Sequence, residues 1–551
     1  MTIRRIFLLL FITPNLQAIS STLSSRPNIL WILADDLGWG ELEVFSRNKK
    51  GPHIETPNLN RFASEGMQFL NSYAGYSVCA PSRTTLFTGR HSGMFPKNKL
   101  SGVDLKPGKV KTVAEILKHS GYETALFGKS SPLSHPTRSG FDTFIGQVDA
   151  HMCHDMYARN IDKGNHRNNF HLKGNSKHKS RDLCMGHPSQ YTYTADVFQN
   201  QAIHWLENYS RKSPSHKIPP SNPFFLFLSF TIPHAGGWTD SGTMQGNPVP
   251  IHAKYTTNKK WPAVEKDHAS VVTYLDKYVG QLMSKLKDLG MDNNTIIFFA
   301  SDNGAYHKNS QWSSSGHDYN FFKSSGGLRG HKRSMFEGGH RSPTLVRWPG
   351  HIEAGKISKL QWAFWDVLPT LAELAGISKS KLPNGLNGRS IVPTLLGRTQ
   401  SSPKYLYFTG ESSWAKDQKS WEEPNPRTTS YAIISGRWKG IVEKCINKPK
   451  YSDQMRLYDL VNDPHEKRDV SKHHSKQVHE LKRILASEKG ISCKCFQCGH
   501  MLSVLRELNQ FFMMNDTIPF VDPETGEQLV MIRNTDNLWN VVSANDSITE
   551  E

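Results

Sequence analysis

The sequence predicts an α/β fold in which a mostly parallel central sheet is flanked by helices, followed by a smaller antiparallel sheet with one helix. Three observations predict it. Apolar, β-prone runs such as 28–33 and 224–228 lie between turn signals and alternate along the chain with helically spaced segments, the pattern of a parallel sheet. Beyond residue 397 the character changes to short β-prone runs set close together, which fits a small antiparallel sheet. At 551 residues the chain exceeds the size at which one hydrophobic core stops growing, so a large domain plus a smaller one is expected.

Taken in order, residues 1–20 combine a basic start at Arg4 and Arg5, a short apolar run and small residues near Ala18, and read as a signal peptide. That run is too short to span a bilayer, and no later stretch approaches roughly twenty apolar residues, so no membrane span is expected. The mature protein is expected in the secretory pathway, secreted or lysosomal, or in the periplasm of a bacterium. Residues 27–34 form a strand that delivers Asp35 and Asp36 at its end. Thr56 and Pro57 open a helix over 56–63. A second helix is expected from residue 83 onward, which places Cys79 near a helix N-terminus, where backbone N–H groups and the helix dipole favour an anion.

The alternation continues with a helix over 112–119, a strand over 122–127 carrying Lys129 just past its end, a helix over 195–209 and a strand over 223–230. A long helix over 270–289 and a strand over 295–300 follow, the latter ending in Ser301-Asp302-Asn303-Gly304. Ligands collect beyond the carboxyl ends of such strands, where each of these polar clusters lies. Residues 149–187 are rich in His, Asn and Lys and read either as an insertion over one edge of the site or as a solvated loop. The small sheet is expected from 404–408, 431–434, 437–443 and 456–460, with a helix over 477–488. The expected organisation is therefore a signal peptide over 1–20, a catalytic domain over 25–397, a small α+β domain over 398–490 and a cysteine-containing extension over 491–551.

Lys plus Arg exceed Asp plus Glu by 67 to 49, a net charge of +18 that favours encounter with anionic ligands. The basic residues are scattered and no zinc-finger, helix-turn-helix or RNA-binding signature is present, so nucleic acid is not the expected partner. Seven cysteines make an odd count. Assigning Cys79 to chemistry leaves Cys153, Cys184, Cys445, Cys493, Cys495 and Cys498, which can form up to three disulfides. The tight spacing from Cys493 to His500 can also hold zinc, with disulfides the stronger expectation in a secreted chain. Sequons at Asn208, Asn293, Asn515 and Asn545 permit glycosylation in a eukaryotic host.

Asp35, Asp36, Asp302 and Asn303 offer three carboxylates and an amide oxygen from two strand ends, an all-oxygen set suited to a hard dication, Ca²⁺ or Mg²⁺. Taken singly, Asp-Asp-x-Gly and Asp-Asn-Gly are ordinary turn sequences. Their company changes that. Cys79-x-Pro81-Ser82-Arg83 followed by Leu86-x-Thr88-Gly89-Arg90 occurs together with Ala34 to Gly38, Gly128-Lys129, Ile232-Pro233-His234, Ser301 to Gly304, Gly330-His331-Lys332 and Phe336 to Gly339. In this order and spacing, from residue 28 to about residue 460, the chain resembles the sulfatase family, specifically formylglycine-dependent enzymes of the arylsulfatase and N-acetylgalactosamine-6-sulfatase type.

The resemblance implies an alkaline-phosphatase-like fold and hydrolysis of a sulfate ester, here expected on a sulfated carbohydrate. It implies that a formylglycine-generating enzyme converts Cys79 to formylglycine (3-oxoalanine), whose hydrate is the nucleophile. One Ca²⁺ would be held by Asp35, Asp36, Asp302, Asn303 and the residue at Cys79. Arg83 would hold the formylglycine, Lys129 and Lys332 would bind sulfate, and His234 would protonate the leaving alcohol. Such a division of labour suits the reaction, because cations drain charge from the sulfuryl oxygens while a tuned histidine supplies the proton.

The chain departs from the family at one point. Many sulfatases follow the Gly-Lys motif with Trp-His, whereas Ser130 and Ser131 stand here. His135, His151 and His154 lie nearby in sequence, and His151 or His154 is expected to take the missing place; His307 is a further candidate for substrate contact. Two alternatives accompany this expectation. One is a catalytically impaired secreted binding protein with the same fold. The other is a phosphatase or phosphodiesterase of the same superfamily, which would carry Ser, Thr or Asp where Cys79 stands.

Overall fold

The structure is a computed structural model that describes residues 26–46, 51–95, 105–149, 152–175, 189–213, 220, 222–236, 246–306, 317–412, 428–445, 454–488, 517–521, 528–533 and 539–543. The signal-peptide segment and the cluster from Cys493 to His500 lie outside these residues. The chain divides into two compact units, Met1–Leu481 and Lys482–Glu551.

The first unit is built on a ten-stranded sheet. Its strands are β1 (Asn28–Asp35), β2 (Met67–Phe69), β4 (Glu123–Lys129), β5 (Thr143–Gln147), β6 (Asn160–Lys163), β7 (His166–His171), β8 (Phe224–Pro233), β9 (Thr295–Ser301), β10 (Thr344–Arg347) and β11 (Lys356–Ser358), with β3 (Ser72–Tyr73) and β12 (Trp362–Ala363) forming a separate parallel pair. The order is β11-β2-β10-β9-β1-β8-β4-β5-β6-β7. The five central strands, β9-β1-β8-β4-β5, all run parallel, and antiparallel pairings are confined to the flanks. The α/β class expected from the sequence is therefore observed.

The central strands are apolar on consecutive residues because both faces are covered, the situation in which parallel strands lose their alternation. Leu30, Ile32, Leu226 and Leu228 face one layer, formed by α1 (Pro57–Ser64), α4 (Thr194–Ser210) and α5 (Ala263–Asp288). Ile29, Trp31, Leu33, Phe225 and Phe227 face the other, where α2 (Cys79–Thr88), α3 (Val113–His119) and the helix Val367–Leu374 pack. α3 begins on a reciprocal capping box between Thr112 and Glu115, as the [ST]-x-x-E pattern dictates. Helix α5 starts at Ala263 behind Pro262, earlier than the expected 270, and β8 runs on through Pro233.

A four-stranded antiparallel sheet follows in the same unit: β13 (Leu406–Ser412), β14 (Thr428–Ser435), β15 (Trp438–Cys445) and β16 (Arg456–Asp459). It shares an apolar cluster with the large sheet's surroundings, in which Leu406, Phe408, Ala432 and Ile441 meet Tyr73, Phe336 and Trp365. An ion network crosses the same contact. Lys439 on β15 reaches Glu337 at 2.9 Å and Glu466 at 3.0 Å; Arg341 Nε donates to Glu337 at 3.0 Å, as does the Tyr73 hydroxyl at 3.1 Å. The second unit contains a three-stranded antiparallel sheet, β17 (Thr517–Val521), β18 (Gln528–Arg533) and β19 (Trp539–Ser543).

Burial opposes every charge in the Lys439 network; Glu337 and Lys439 hold each other ionised, while burial, offset only in part by Lys439, pushes Glu466 up to about 7. Burial favours the neutral Glu337 carboxyl, and Lys439 and Arg341 outweigh it, keeping its pKa below the usual range. Removing one partner strands the rest. Lys439→Met should destabilise the protein by about 3–5 kcal/mol, measured by denaturant unfolding; a loss under about 1 kcal/mol, the range of exposed pairs, would show that the network is not a fastening.

Candidate active site

Strand ends build the site. β1 and β9 are parallel neighbours with Ala34 opposite Ser301, so the residues that follow, Asp35, Asp36, Asp302 and Asn303, meet beyond their carboxyl ends. All four are buried. Asp36 adopts φ 64, a left-handed conformation that Asp and Asn tolerate better than most residues, and its backbone N–H donates to Asp302 Oδ1 at 3.2 Å. β4 ends in Lys129, and β8 is followed by His234. Gly128, at φ 104, lies so close to β8 that a Cβ there would stand 1.9 Å from the Ser229 carbonyl oxygen, so only glycine can precede Lys129 here. Lys332 is hung on the site by its backbone N–H, which donates to the Ala305 carbonyl at 2.8 Å.

Helix α2 starts at Cys79 itself, behind the extended N-cap Val78, and ends at Gly89 in the left-handed conformation. The expected start at residue 83 was late because α2 has almost no apolar face to mark it. Nine of its residues, Ala80 to Thr88, are buried, and its hydroxyls bond within the helix: Thr84 to the Ala80 carbonyl at 3.0 Å and Thr88 to the Thr84 carbonyl at 2.7 Å. Cys79 is thereby the first helical residue, half-buried, with the positive end of the helix dipole behind it.

Three buried cations answer the three acids. Arg83 Nε donates to Asp302 Oδ2 at 2.7 Å, its Nη1 donates to Ser229 Oγ at 2.5 Å, and its Nη2 lies 3.6 Å from Asp35 Oδ2. Lys129 Nζ reaches Asp35 Oδ2 at 2.6 Å and Lys332 Nζ reaches Asp36 Oδ1 at 2.7 Å. Burial raises the Asp35 carboxyl, but Lys129, His234, Arg83 and Lys332 together hold it below the usual carboxylate range. Asp302 is pushed the other way, by burial and then by the Asp35 charge. For Lys129 and Lys332, burial is more than offset by Asp35 and Asp36 respectively, and both stay protonated.

The acids do not use all their oxygens. Asp35 Oδ1 and Asn303 Oδ1 are buried and make no hydrogen bond among the described residues, while the Asn303 amide donates to Asp36 Oδ1 at 2.7 Å. Asp35, Cys79 and Asp302 place one ligand atom each within 4.8 Å of one another, and so do Asp35, Asp36 and His234. Orphaned, buried, hard oxygen atoms facing like-charged neighbours fit a divalent cation. A dication would be held by Asp35, Asp36, Asp302 and Asn303 with the residue at 79 beside it.

His234 follows the end of β8, with Nδ1–H donating to the Ala235 carbonyl and Nε2 3.3 Å from Asp36 Oδ2. The site also gains a residue from the polar segment after β5. His154 is buried, stacks on the His234 ring with centroids 3.8 Å apart at 7°, and accepts from Lys129 Nζ at 3.3 Å through Nε2. Of the two expected substitutes for the missing histidine, His154 is thus in the cluster. His151, like His307, lies outside the described residues. Ser229 was missed, although one hydroxyl inside Phe224-Phe225-Leu226-Phe227-Leu228-Ser229-Phe230 is the kind of break that marks a buried polar contact.

Cys153 is a buried thiol, its pKa pushed up to about 12 by burial, and packing one residue from His154 leaves it inside the core. Cys184, Cys493, Cys495 and Cys498 lie outside the described residues.

Cations and an anion-favouring helix end gathered around an acidic metal-type cluster, on the carboxyl edge of a parallel sheet, define a hydrolase of anionic esters. The sulfatase family model matches residues 27–377, and the model for the C-terminal part of N-sulphoglucosamine sulphohydrolase matches residues 330–489. The chain belongs to the sulfatase family and is a sulfuric ester hydrolase. It is 29% identical over 419 residues to human N-acetylgalactosamine-6-sulfatase, covering 71% of this chain and 69% of that one. With the N-acetylgalactosamine-6-O-sulfatase of Bacteroides thetaiotaomicron it shares 28% identity over 523 residues, 85% of this chain and 94% of that one. Its fold is similar to that of an enzyme solved in complex with its substrate D-glucosamine-2-N,6-O-disulfate, with a TM-score of 0.59 at 20% identity over 85% of this chain and 98% of that one.

Chelation should lower the melting temperature and added Ca²⁺ or Mg²⁺ should restore it, since an ion bound only by the folded chain adds about 2.7 kcal/mol at a hundredfold excess over its Kd. Asn303→Ala removes an orphaned oxygen without breaking an ion pair and should weaken that response in differential scanning calorimetry. An unchanged response would exclude Asn303 as a ligand.

Proposed function

We propose that this protein hydrolyses sulfate esters on a sulfated carbohydrate, with Cys79 converted to formylglycine by a formylglycine-generating enzyme and one Ca²⁺ on Asp35, Asp36, Asp302 and Asn303. The observation that carries this is the convergence of Arg83, Lys129, Lys332 and His234 on the acids beside Cys79. The names of the relatives support a sugar sulfate as the substrate class. When present, the formylglycine hydrate supplies the attacking oxygen and the dication draws charge from the sulfuryl group.

The chain's own residues do the rest. Arg83, fixed by Asp302 and Ser229, keeps Nη2 without a hydrogen bond among the described residues, a donor left over to orient the group at position 79. Lys129 and Lys332 are held in place by Asp35 and Asp36 and offer their remaining N–H groups to sulfate oxygens, so their charge is set before the substrate arrives. His234 carries its fixed proton on Nδ1, which leaves Nε2 as the atom that passes a proton to the leaving alcohol. Burial pushes this imidazole down to about 4, with Asp36 pulling up and Lys332 pulling down. A bound sulfate ester sets negative charge against the lysines and favours the protonated ring. His154, stacked on that ring and bonded to Lys129, takes the position of the histidine absent after Lys129.

Mass spectrometry of the peptide containing Cys79, from protein made in its native host, should find formylglycine; an unmodified thiol there would sink the formylglycine assignment. Sulfate release should be tested on 6-sulfated N-acetylgalactosamine and N-acetylglucosamine and on an aryl sulfate. His234→Ala should cost about 10²–10⁴-fold in kcat on sugar sulfates and less on the aryl ester, whose phenolate leaves without a proton; equal losses would remove the acid role. His154→Ala should lower kcat by about 10²-fold, the effect of misplacing a reacting group by about 1 Å, and unchanged turnover would leave His154 a packing residue.

A further inference from the structure

A second buried cluster of ligand-type side chains lies beneath the turn that follows β1, outside the residues the catalytic reading uses. Glu41, His268 and His317 each place one ligand atom within 4.8 Å of the other two, and all three are buried. They come from the loop after β1, from α5 and from the segment preceding Asp318. Glu41 Oε2 accepts the Gly38 backbone N–H at 2.8 Å, which turns Oε1 toward the histidines, 2.7 Å from His268 Nε2 and 3.8 Å from His317 Nε2.

The hydrogen bonds around the cluster fix where its protons are. Asn247 Nδ2 donates to the carbonyls of Pro233 at 2.7 Å and His234 at 3.2 Å, so its Oδ1 is the atom facing His268 Nδ1 at 3.2 Å. His268 therefore carries a proton on Nδ1. The 2.7 Å contact from its Nε2 to the Glu41 carboxylate then needs a positive charge at that point, a proton on Nε2 when the site is empty or a metal ion when it is filled. His317 has the same polarity: Nδ1 faces Glu265 Oε2 at 3.6 Å and Nε2 faces Glu41. Neither nitrogen of His317 nor Oε2 of Glu265 makes a hydrogen bond among the described residues, although His317 is 1% and Glu265 3% exposed. With both imidazoles neutral, as metal ligands must be, the two buried carboxylates leave a double negative charge that one dication balances.

We infer that Glu41, His268 and His317 form a binding site for a zinc-class dication, separate from the catalytic acids, with Glu265 and Asn247 as the outer partners that set both imidazole tautomers. A nitrogen-rich set with one carboxylate suits Zn²⁺ rather than Ca²⁺, and an outer carboxylate or amide oxygen on the far ring nitrogen is the usual support of a metal-bound histidine. The His268 and His317 rings stack with centroids 3.4 Å apart at 14°, so an ion entering the site must splay them until both Nε2 atoms point at it. The ion would tie the Gly38 turn to α5, and through Asn247 to the backbone of His234.

The test uses the full chain, stripped with chelator and refilled with Ca²⁺, then titrated with Co²⁺ as an optical probe and with Zn²⁺ alone. One equivalent of Co²⁺ should give visible d–d absorption that Zn²⁺ displaces, and Zn²⁺ should raise the melting temperature. His317→Ala should abolish both effects, Cys79→Ser should leave both intact, and Glu265→Gln should weaken Zn²⁺ about 10–100-fold. No Co²⁺ signal, a signal that survives His317→Ala, or one lost in Cys79→Ser would overturn the site. Circular dichroism checks that His317→Ala is folded; if it is not, the Glu265→Gln affinity decides, and an unchanged Zn²⁺ affinity rejects the proposal.

Discussion

The structure depends on burying three carboxylates and three cations against one another. Asp35, Asp36 and Asp302 could not share one pocket as anions, and Arg83, Lys129 and Lys332 could not be buried as cations, unless each answered the other. The sheet makes this possible. Parallel β1, β4, β8 and β9 aim their ends in one direction, so residues from distant parts of the chain arrive at the same edge without any of them being local neighbours. Mutual pairing fixes position as well as charge, and a sulfate ester entering such a site meets donors that need not reorganise.

The same physics explains the fastening of the small sheet. An apolar contact alone would leave the orientation of β13 to β16 loosely specified, since apolar burial is not directional. Lys439 reaching Glu337 and Glu466, with Arg341 and Tyr73 on the same carboxylate, admits one arrangement. Glu337 opens the Glu-Gly-Gly turn whose glycines let the chain pass close to Gly304, where a Cβ would stand 1.8 Å from the Gly338 carbonyl oxygen. The network that holds the small sheet therefore also supports the loop behind Asp302 and Asn303.

Much of this was legible in the sequence because it rests on local rules. Apolar runs ending in Asp-Asp or Asp-Asn-Gly, Thr56 and Pro57 opening a helix, and a Gly-Lys after an apolar strand carry their structural meaning within a few residues. The boundaries that were missed had another cause. Helix α2 is enclosed on all sides, so no periodic apolar stripe announced its start at Cys79. Ser229 and Asn247 act through partners more than ten residues away, Arg83 in one case and the backbone of Pro233 and His234 in the other; the lone hydroxyl of Ser229 in an apolar run marks a polar contact without naming its partner, and nothing local distinguishes Asn247 from an ordinary loop residue. Compartment and parity say nothing about packing, and so did not foretell that Cys153 is buried next to His154, which reaches Lys129.

His154 shows how far spacing and geometry can part. The family pattern sets a histidine two residues after the lysine, on the loop that leaves β4, and here that position is Ser131. The structure brings a histidine to Lys129 all the same, from beyond β5, by a route of 25 residues. β4 and β5 are parallel neighbours with Lys129 opposite Gln147, so the chain leaving β5 starts at the same sheet edge as Lys129 and needs only a short turn to return to it. A side chain delivered that way can reach the same ammonium group and stack on His234. An imidazole face against His234 and an acceptor for Lys129 are contacts that the loop after β5 supplies here, and neither contact specifies which loop must supply it.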